Sequence, residues 1–268
     1  MKSAKLYLTF LKLFFKSKME FRFTFFSEIF INIFSYVITY LGIWIIMTKF
    51  QIINGWTFWE VVLLYNLNLF SYGLSSFVFF VPLQELETMV QNGTFDGILI
   101  RPMNPLLHLL ASRQRYVGFL GHVVLGVVIF IPCFTNLGIQ INALNFCYLI
   151  MVIFGASLIH AAIILSTCSL SFWVVRSNSI RDLIVYRTRQ FIDYPVSIYG
   201  IAVQAIMTFM LPYAFVNFYP VQYFTGQKPG AFFHPVLQFL APAVGAIMFT
   251  GAYYVWKAGL ARYESTGS

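Results

Sequence analysis

Charge is what this sequence has least of. Only 10% of its 268 residues are Asp, Glu, Lys or Arg, and nine are acidic. A soluble domain carries about 25% charged residues and about 45–50% apolar ones. Here 59% are apolar and the mean hydropathy is +0.77. One buried core cannot absorb that excess, so the composition excludes an ordinary soluble domain and makes lipid the natural solvent. Cysteine is scarce as well. Cys133, Cys147 and Cys168 have no CxxC spacing and no neighbouring His pair, which excludes a zinc site or a redox dithiol. They read as small apolar filler. Cys133 and Cys147 flank one expected outer loop, so a disulfide between them stays open.

Catalytic equipment is missing too. There is no HExxH, no GxSxG and no pair of aspartates in facing spans, the parts that intramembrane hydrolysis needs. Asp182 and Asp193 are placed as a loop residue and a span-start residue and make no dyad. No GxxxxGK[ST] phosphate loop occurs, so the chain is expected to be no enzyme and to hold no cofactor or metal of its own. Charges at bilayer depth mark ion paths and proton relays. Glu28, Glu60 and Asp193 sit near span ends, and His122 and His160 are the only imidazoles within spans. A proton- or sodium-coupled carrier is therefore disfavoured.

What is present is a series of apolar runs. Six are long enough for the roughly 20 residues of a spanning helix: about 25–48, 58–81, 116–134, 146–175, 191–212 and 236–256. Residues 213–235, rich in Tyr, Phe and Pro, are too broken for a span and read as an outer-face segment. Ahead of the runs, Lys2, Lys5, Lys12 and Lys16 share one side of a helix while Phe10, Leu11 and Phe14 point away. That pattern predicts an amphipathic interfacial helix over 1–23. The apolar stretch after Arg22 is longer than a signal-peptide core, and no small-x-small site closes it.

The formal charge is +8, yet the basic residues lie between and outside the runs rather than in a separate domain. The nearest polyanion is a lipid headgroup surface, and no nucleic acid is expected. With both ends inside, inner segments hold 15 of the 17 basic residues and outer ones only Lys49 and Lys228. The positive-inside rule fixes that orientation. The expected fold is an all-α integral membrane protein: one transmembrane domain over 1–268 with six spans, cytoplasmic N- and C-termini, and an inner loop at 82–115. Its small pair Ala241 and Gly245, four apart, suits close helix approach.

That loop reads VPLQELETMVQNGTFDGILIRPMNPL from Val81. Leu83, Leu86 and Val90 predict one side of a short helix, with Glu85 and Gln91 elsewhere. Asn92-Gly93 gives a stop, and Pro102 and Pro105 prevent a continuous helix into the next span. The loop is a stiff surface element, suited either to gripping a partner or to lying in the interface without one.

Asn92-Gly93-Thr94-Phe95-Asp96, Leu99 and Arg101-Pro102-Met103-Asn104-Pro105-Leu106 resemble the signature region of permease subunits of type-2 ABC exporters, in the bacterial six-span permease family. Ser171-Phe172-Trp173, Tyr194-Pro195, Leu211-Pro212, Phe218-Tyr219-Pro220, Trp256, Gly259, Tyr263 and the Ser265-Thr266-Gly267-Ser268 end carry it further. The resemblance implies export across a bacterial cell membrane by two permeases, related or identical, driven by ATP-binding cassette ATPase subunits that bind ATP and magnesium. It also implies a coupling helix at 83–96, with Glu85, Glu87, Asn92, Gly93, Asp96, Arg101, Pro102 and Pro105 as candidate ATPase-contact and coupling residues. Asp96 and Arg101 read equally well as solvated loop charges. Tyr199, Met207, Phe209, Met210, Tyr213 and Phe215 are candidates for a substrate path suited to a bulky amphipathic cargo, although lipid-facing or helix-packing roles are commoner for such residues. A membrane scaffold or assembly protein without transport is the alternative reading.

Overall fold

The computed structural model describes residues 2–50, 52–114, 117–174, 176–229 and 234–265, with side chains from residue 7 onward. It is helical throughout the described residues apart from one isolated bridge between Ile53 and Trp56. Helix α1 (Lys2–Glu20) keeps Lys12 and Lys16 exposed and half-buries Phe10, Leu11 and Phe14. Lys18 bonds Glu28 at 2.7 Å across the corner into α2 (Arg22–Lys49). Only Phe25, Ile43 and Met47 of α2 are buried, so most of its apolar surface stays uncovered.

The centre of the fold is α3, a helix from Phe58 to Gln91 that loosens into a π turn over Ser76–Phe80. It starts on a capping box, in which the Thr57 amide donates to Glu60 Oε2 at 2.8 Å. Lys228 reaches the same carboxylate at 2.6 Å. Buried polar groups on α3 are matched with its neighbours: Tyr40 donates to Asn66 Oδ1 at 2.7 Å, and Asn66 Nδ2 donates to Gly126 O at 3.0 Å. With 34 residues, α3 is about 50 Å long at about 1.5 Å per residue, well beyond a hydrocarbon core of about 30 Å. Its last turns, which hold Glu85 and Glu87, therefore project from lipid. The short helix expected from Leu83, Leu86 and Val90 is continuous with this long helix and not separate from it.

Short α4 (Asp96–Leu99) and α5 (Pro105–Ser112) follow, and α1 packs on α5. The next spans are α6 (Phe119–Asn136) and α7 (Ala143–Phe172). Cys133 and Cys168 are buried and Cys147 is exposed, all three as free thiols, so the open Cys133–Cys147 pairing is not formed.

One helix over 191–212 is expected, but the chain there is broken. After α8 (Asn178–Arg181) come a π stretch over Asp182–Thr188 and 3₁₀ turns at Arg189–Asp193 and Val196–Ile198. Pro195 holds Tyr194 extended, at φ −120° and ψ 164°, because the ring clashes with a helical residue before it. The chain restarts as α9 (Ile201–Met210). Leu211-Pro212 then bends it by 81° into α10 (Tyr213–Thr225). Residues 212–220 are all buried, so the first half of the expected outer-face segment is interior to the bundle. Asn217 secures it, donating to Ile192 O at 2.7 Å and Leu64 O at 3.1 Å.

A 3₁₀ turn at Pro235–Phe239 leads into α11 (Ala241–Arg262), which runs along α7. A Cβ on Gly245 would stand 2.4 Å from Gly155 O, and one on Gly155 would stand 2.6 Å from the Ala241 backbone. The Ala241/Gly245 pair thus allows backbone-to-backbone approach. Against six expected spans, four helices among the described residues are long and apolar enough to cross a membrane (α2, α3, α6, α7), or five if the bent α9–α10 pair is one span. Helix α11 has the length, at 22 residues, but is less apolar.

Candidate functional site

At the end of α3 the helix stops where Asn92-Gly93 predicts. Gly93 takes φ +69°, the left-handed conformation that glycine adopts without strain. The reversal drives Phe95 inward, where its side chain is fully buried. Around its ring stand Tyr263 at 5.1 Å, Phe172 at 5.5 Å and Trp256 at 6.3 Å, all edge-on. Phe172 and Trp256 are themselves 5.3 Å apart. Edge-to-face pairs add about 0.5–1.5 kcal/mol each beyond their buried area. Gly259 makes room for them: a Cβ there would lie 2.4 Å from Phe172 and 3.0 Å from Trp173.

Polar groups close the same joint. Asp96 Oδ1 accepts from the Tyr263 hydroxyl at 2.9 Å, and Oδ2 accepts from Ser265 Oγ. Burial and the adjoining Asp96 carboxylate push the Tyr263 phenol up to about 12, which keeps it a donor. Glu87 Oε2 accepts from Ser177 Oγ at 2.9 Å and from the Asn178 amide, tying the α3 end to α8. Glu85 pairs with Arg113 at 3.4 Å. Residues 85–96 are thereby fastened to the ends of α7, α8 and α11.

The connector beyond has another character. Asn104 caps α5, accepting from the Leu106 and Leu107 amides at 3.0 and 3.3 Å, with Pro105 in the first turn. Arg101 and Pro102 are exposed, Ile100 is 80% exposed, and Leu99 and Leu107 are exposed beside them. A short apolar strip with one cation thus stands on a rigid base.

Of the expected site residues, Glu85, Glu87, Asn92, Gly93, Asp96, Arg101, Pro102 and Pro105 fall in this one region, but they divide. Glu85, Glu87 and Asp96 are held by side-chain bonds to other parts of the chain, and Asn92, Arg101 and Pro102 are exposed. The expected substrate-path residues are not brought together. Met207, Tyr213 and Phe215 are buried, with the Tyr213 hydroxyl donating to Ile184 O at 3.1 Å. Phe209 and Met210 are 68% and 75% exposed on the outer face of α9, and Tyr199 lies against Phe191 at 5.4 Å. Sequence reasoning missed Ser177 and Asn178 as partners of Glu87, because nothing local links residues so far apart in the chain.

Among the described residues no group of His, Cys, Asp and Glu is placed to hold a metal ion. Residues 30–267 match the family model described as ABC-2 family transporter protein. No curated protein and no solved structure matches the chain.

Proposed function

The chain belongs to the ABC-2 transporter family, as a multi-pass membrane permease, and from that premise we propose that it forms one half of an ATP-driven exporter in a bacterial cell membrane. Its partners are ATP-binding cassette subunits, which bind ATP and magnesium and carry out the hydrolysis, and a second permease. The uncovered apolar faces, α2 above all, are where lipid and that second permease would lie. Both chain ends and residues 82–115 face the cytosol, on the charge asymmetry of the loops.

One observation carries the coupling role. Phe95, Phe172 and the Trp256/Tyr263 pair come from three separate stretches of chain and meet in a single cluster. A push delivered to the loop therefore reaches the ends of α3, α7 and α11 together, since packed interiors transmit displacement instead of absorbing it. The ATPase would grip the exposed strip at Leu99, Ile100, Arg101 and Leu107, and the Pro102/Pro105 connector would pass the stroke on.

Two measurements test this. A neighbouring ATPase should co-purify with the permease in nanodiscs. Replacing both Pro102 and Pro105 with Gly should then lower ATP-driven efflux from vesicles about tenfold, in line with a lost mechanical coupling of about 1–3 kcal/mol, while the complex stays assembled. Efflux unchanged in the double variant removes the connector from the mechanism. An ATPase that never associates favours the scaffold reading.

A further inference from the structure

Helices α6 and α7 both pack on α3, yet they hardly touch each other. The slot left between them is a cavity of about 710 Å³. Phe70, Leu74 and Val78 of α3 line its floor, Ile131 stands on the α6 rim, and Ile150 and Phe154 stand on the α7 rim. The three rim residues are exposed, so the slot opens sideways toward lipid. Both rims are fixed to the floor. Asn66 Nδ2 of α3 donates to Gly126 O of α6 at 3.0 Å. Gly126 also lets α6 close on Phe70, since a Cβ there would stand 2.4 Å from that ring. On the other side Ser157 Oγ of α7 donates to Ser71 O of α3 at 3.1 Å. The slot is therefore formed by the fold itself, as ligand pockets usually are.

The walls decide the chemistry of an occupant. No lining residue is charged. Only Ser75, Thr135 and Ser157 carry hydroxyls, and none offers one to the slot. Thr135 Oγ1 donates to Ile131 O and Pro132 O, each at 3.1 Å, Ser157 is engaged with Ser71, and Ser75 Oγ is out of reach of solvent. A polar occupant would go unpaired there, so the occupant is apolar along its length. The slot follows α7 from Phe146 to Ala161, about 22 Å at about 1.5 Å per residue. A helix about 10 Å across fills about 1,700 Å³ over that length, more than twice the space. The wall also falls well short of the about 800 Å² per partner that a stable interface needs. A hydrocarbon chain fits instead. Benzene occupies a cavity of about 150 Å³, or about 25 Å³ per carbon, so a chain of about 16 carbons takes about 400 Å³. The slot reaches Thr135 and Ile141 at the turn between α6 and α7, and residues 136–145 there are polar or apolar but never charged.

We propose that this slot is a phospholipid site. It takes one acyl chain of a membrane lipid whose head lies at the 136–145 turn, and that chain completes the packing of α3 between α6 and α7. The site goes beyond the transport reading and needs only that the bundle stands in a bilayer. Because the walls are apolar, chain length governs affinity. Because the turn at the mouth holds no charge, the charge of the head does not. That indifference separates the site from basic inner surfaces, which gather anionic heads.

The test uses the full chain in detergent, without ATPase, so it is independent of the coupling experiment. The probes are lysophosphatidylcholines with octanoyl, dodecanoyl and hexadecanoyl chains, followed by native mass spectrometry. Affinity should rise along that series by about tenfold or more. Hexadecanoyl lysophosphatidylglycerol should match its choline counterpart within about twofold. Leu74→Trp fills the floor of the slot and should lower lipid retention about tenfold. Ile247→Trp, at an exposed position of α11 outside the slot, should leave retention unchanged. The chain-length series on the unaltered protein keeps the test open should Leu74→Trp fail to fold. Affinity that ignores chain length, far tighter binding of the anionic lipid, or full lipid retention in a folded Leu74→Trp protein overturns the proposal. So does a Leu74→Trp protein that keeps its lipid but loses self-association, which makes a partner's helix the occupant. If the lipid binds but no ATPase associates, the site stands and the exporter reading falls.

Discussion

The Phe95 joint and the surroundings of Arg189 are built on opposite terms, the first beyond the end of α3 and the second beside its middle at Tyr72. In the joint, the carboxylate oxygens of Asp96 have donors, Glu87 has two, and the aromatic rings fill the space left by Gly259. Around Arg189, Nε and Nη1 of its guanidinium and Nε2 of His160 are buried without a hydrogen-bond partner, all close to the Tyr72 ring. A matched polar network with a filled interior rigidifies, whereas a buried polar group without a partner is held at a cost. The first region is therefore the better secured of the two.

Mutations sharpen that contrast in decreasing order of effect. Phe95→Ala removes the ring on which Phe172, Trp256 and Tyr263 converge and should destabilise the protein by about 3–5 kcal/mol, read as a large fall in melting temperature in detergent. A small fall would mean that the joint is not a structural centre. Gly245→Ala forces α7 and α11 apart, because the blocking atom is backbone and cannot swing away; about 1–3 kcal/mol is expected. Tyr263→Phe keeps the ring but deletes the bond to Asp96, at about 1 kcal/mol, and should expose the tail after Arg262 to protease. The phenol also gives a pH signature. Its value in the folded chain is raised, so its contribution is complete below about pH 10 and fades as pH climbs through the folded value. Arg189→Gln should change the melting temperature least, by under about 1 kcal/mol, since a lost cation–π contact is offset by relief of a buried charge. A large loss of stability there would make Arg189 a structural residue and erase the comparison.

Several features were legible in the sequence because they are local. The exposed Lys12 and Lys16 on α1, the stop at Asn92-Gly93 and the break before α5 at Pro105 each follow from residues a few positions apart and appear in the fold, while the Lys2 and Lys5 side chains lie outside the described residues. The fifth apolar run was misjudged for a physical reason. Hydropathy reports that 191–212 prefers to be out of water, and it cannot tell lipid from protein interior. Pro195 and Pro212 were visible, but their effect depends on what receives the bent chain, here the buried bonds of Asn217 to α3 and Ile192. Burial within that run was not legible either: Met207 and Phe209 are two apart and equally apolar, yet one is buried and the other is exposed.

By itself the sequence determined that this chain lives in a membrane, where its basic residues gather, and to which family it belongs. These properties sum over neighbouring residues and need no knowledge of distant ones. Only the tertiary structure decided that Phe95 meets Trp256 and Tyr263, that Asp96 serves its own chain, and that Arg189 comes to rest over Tyr72 without an ion pair. Such pairings depend on how the helices cross and which atoms have already been satisfied elsewhere, and that information exists only once the whole bundle has formed.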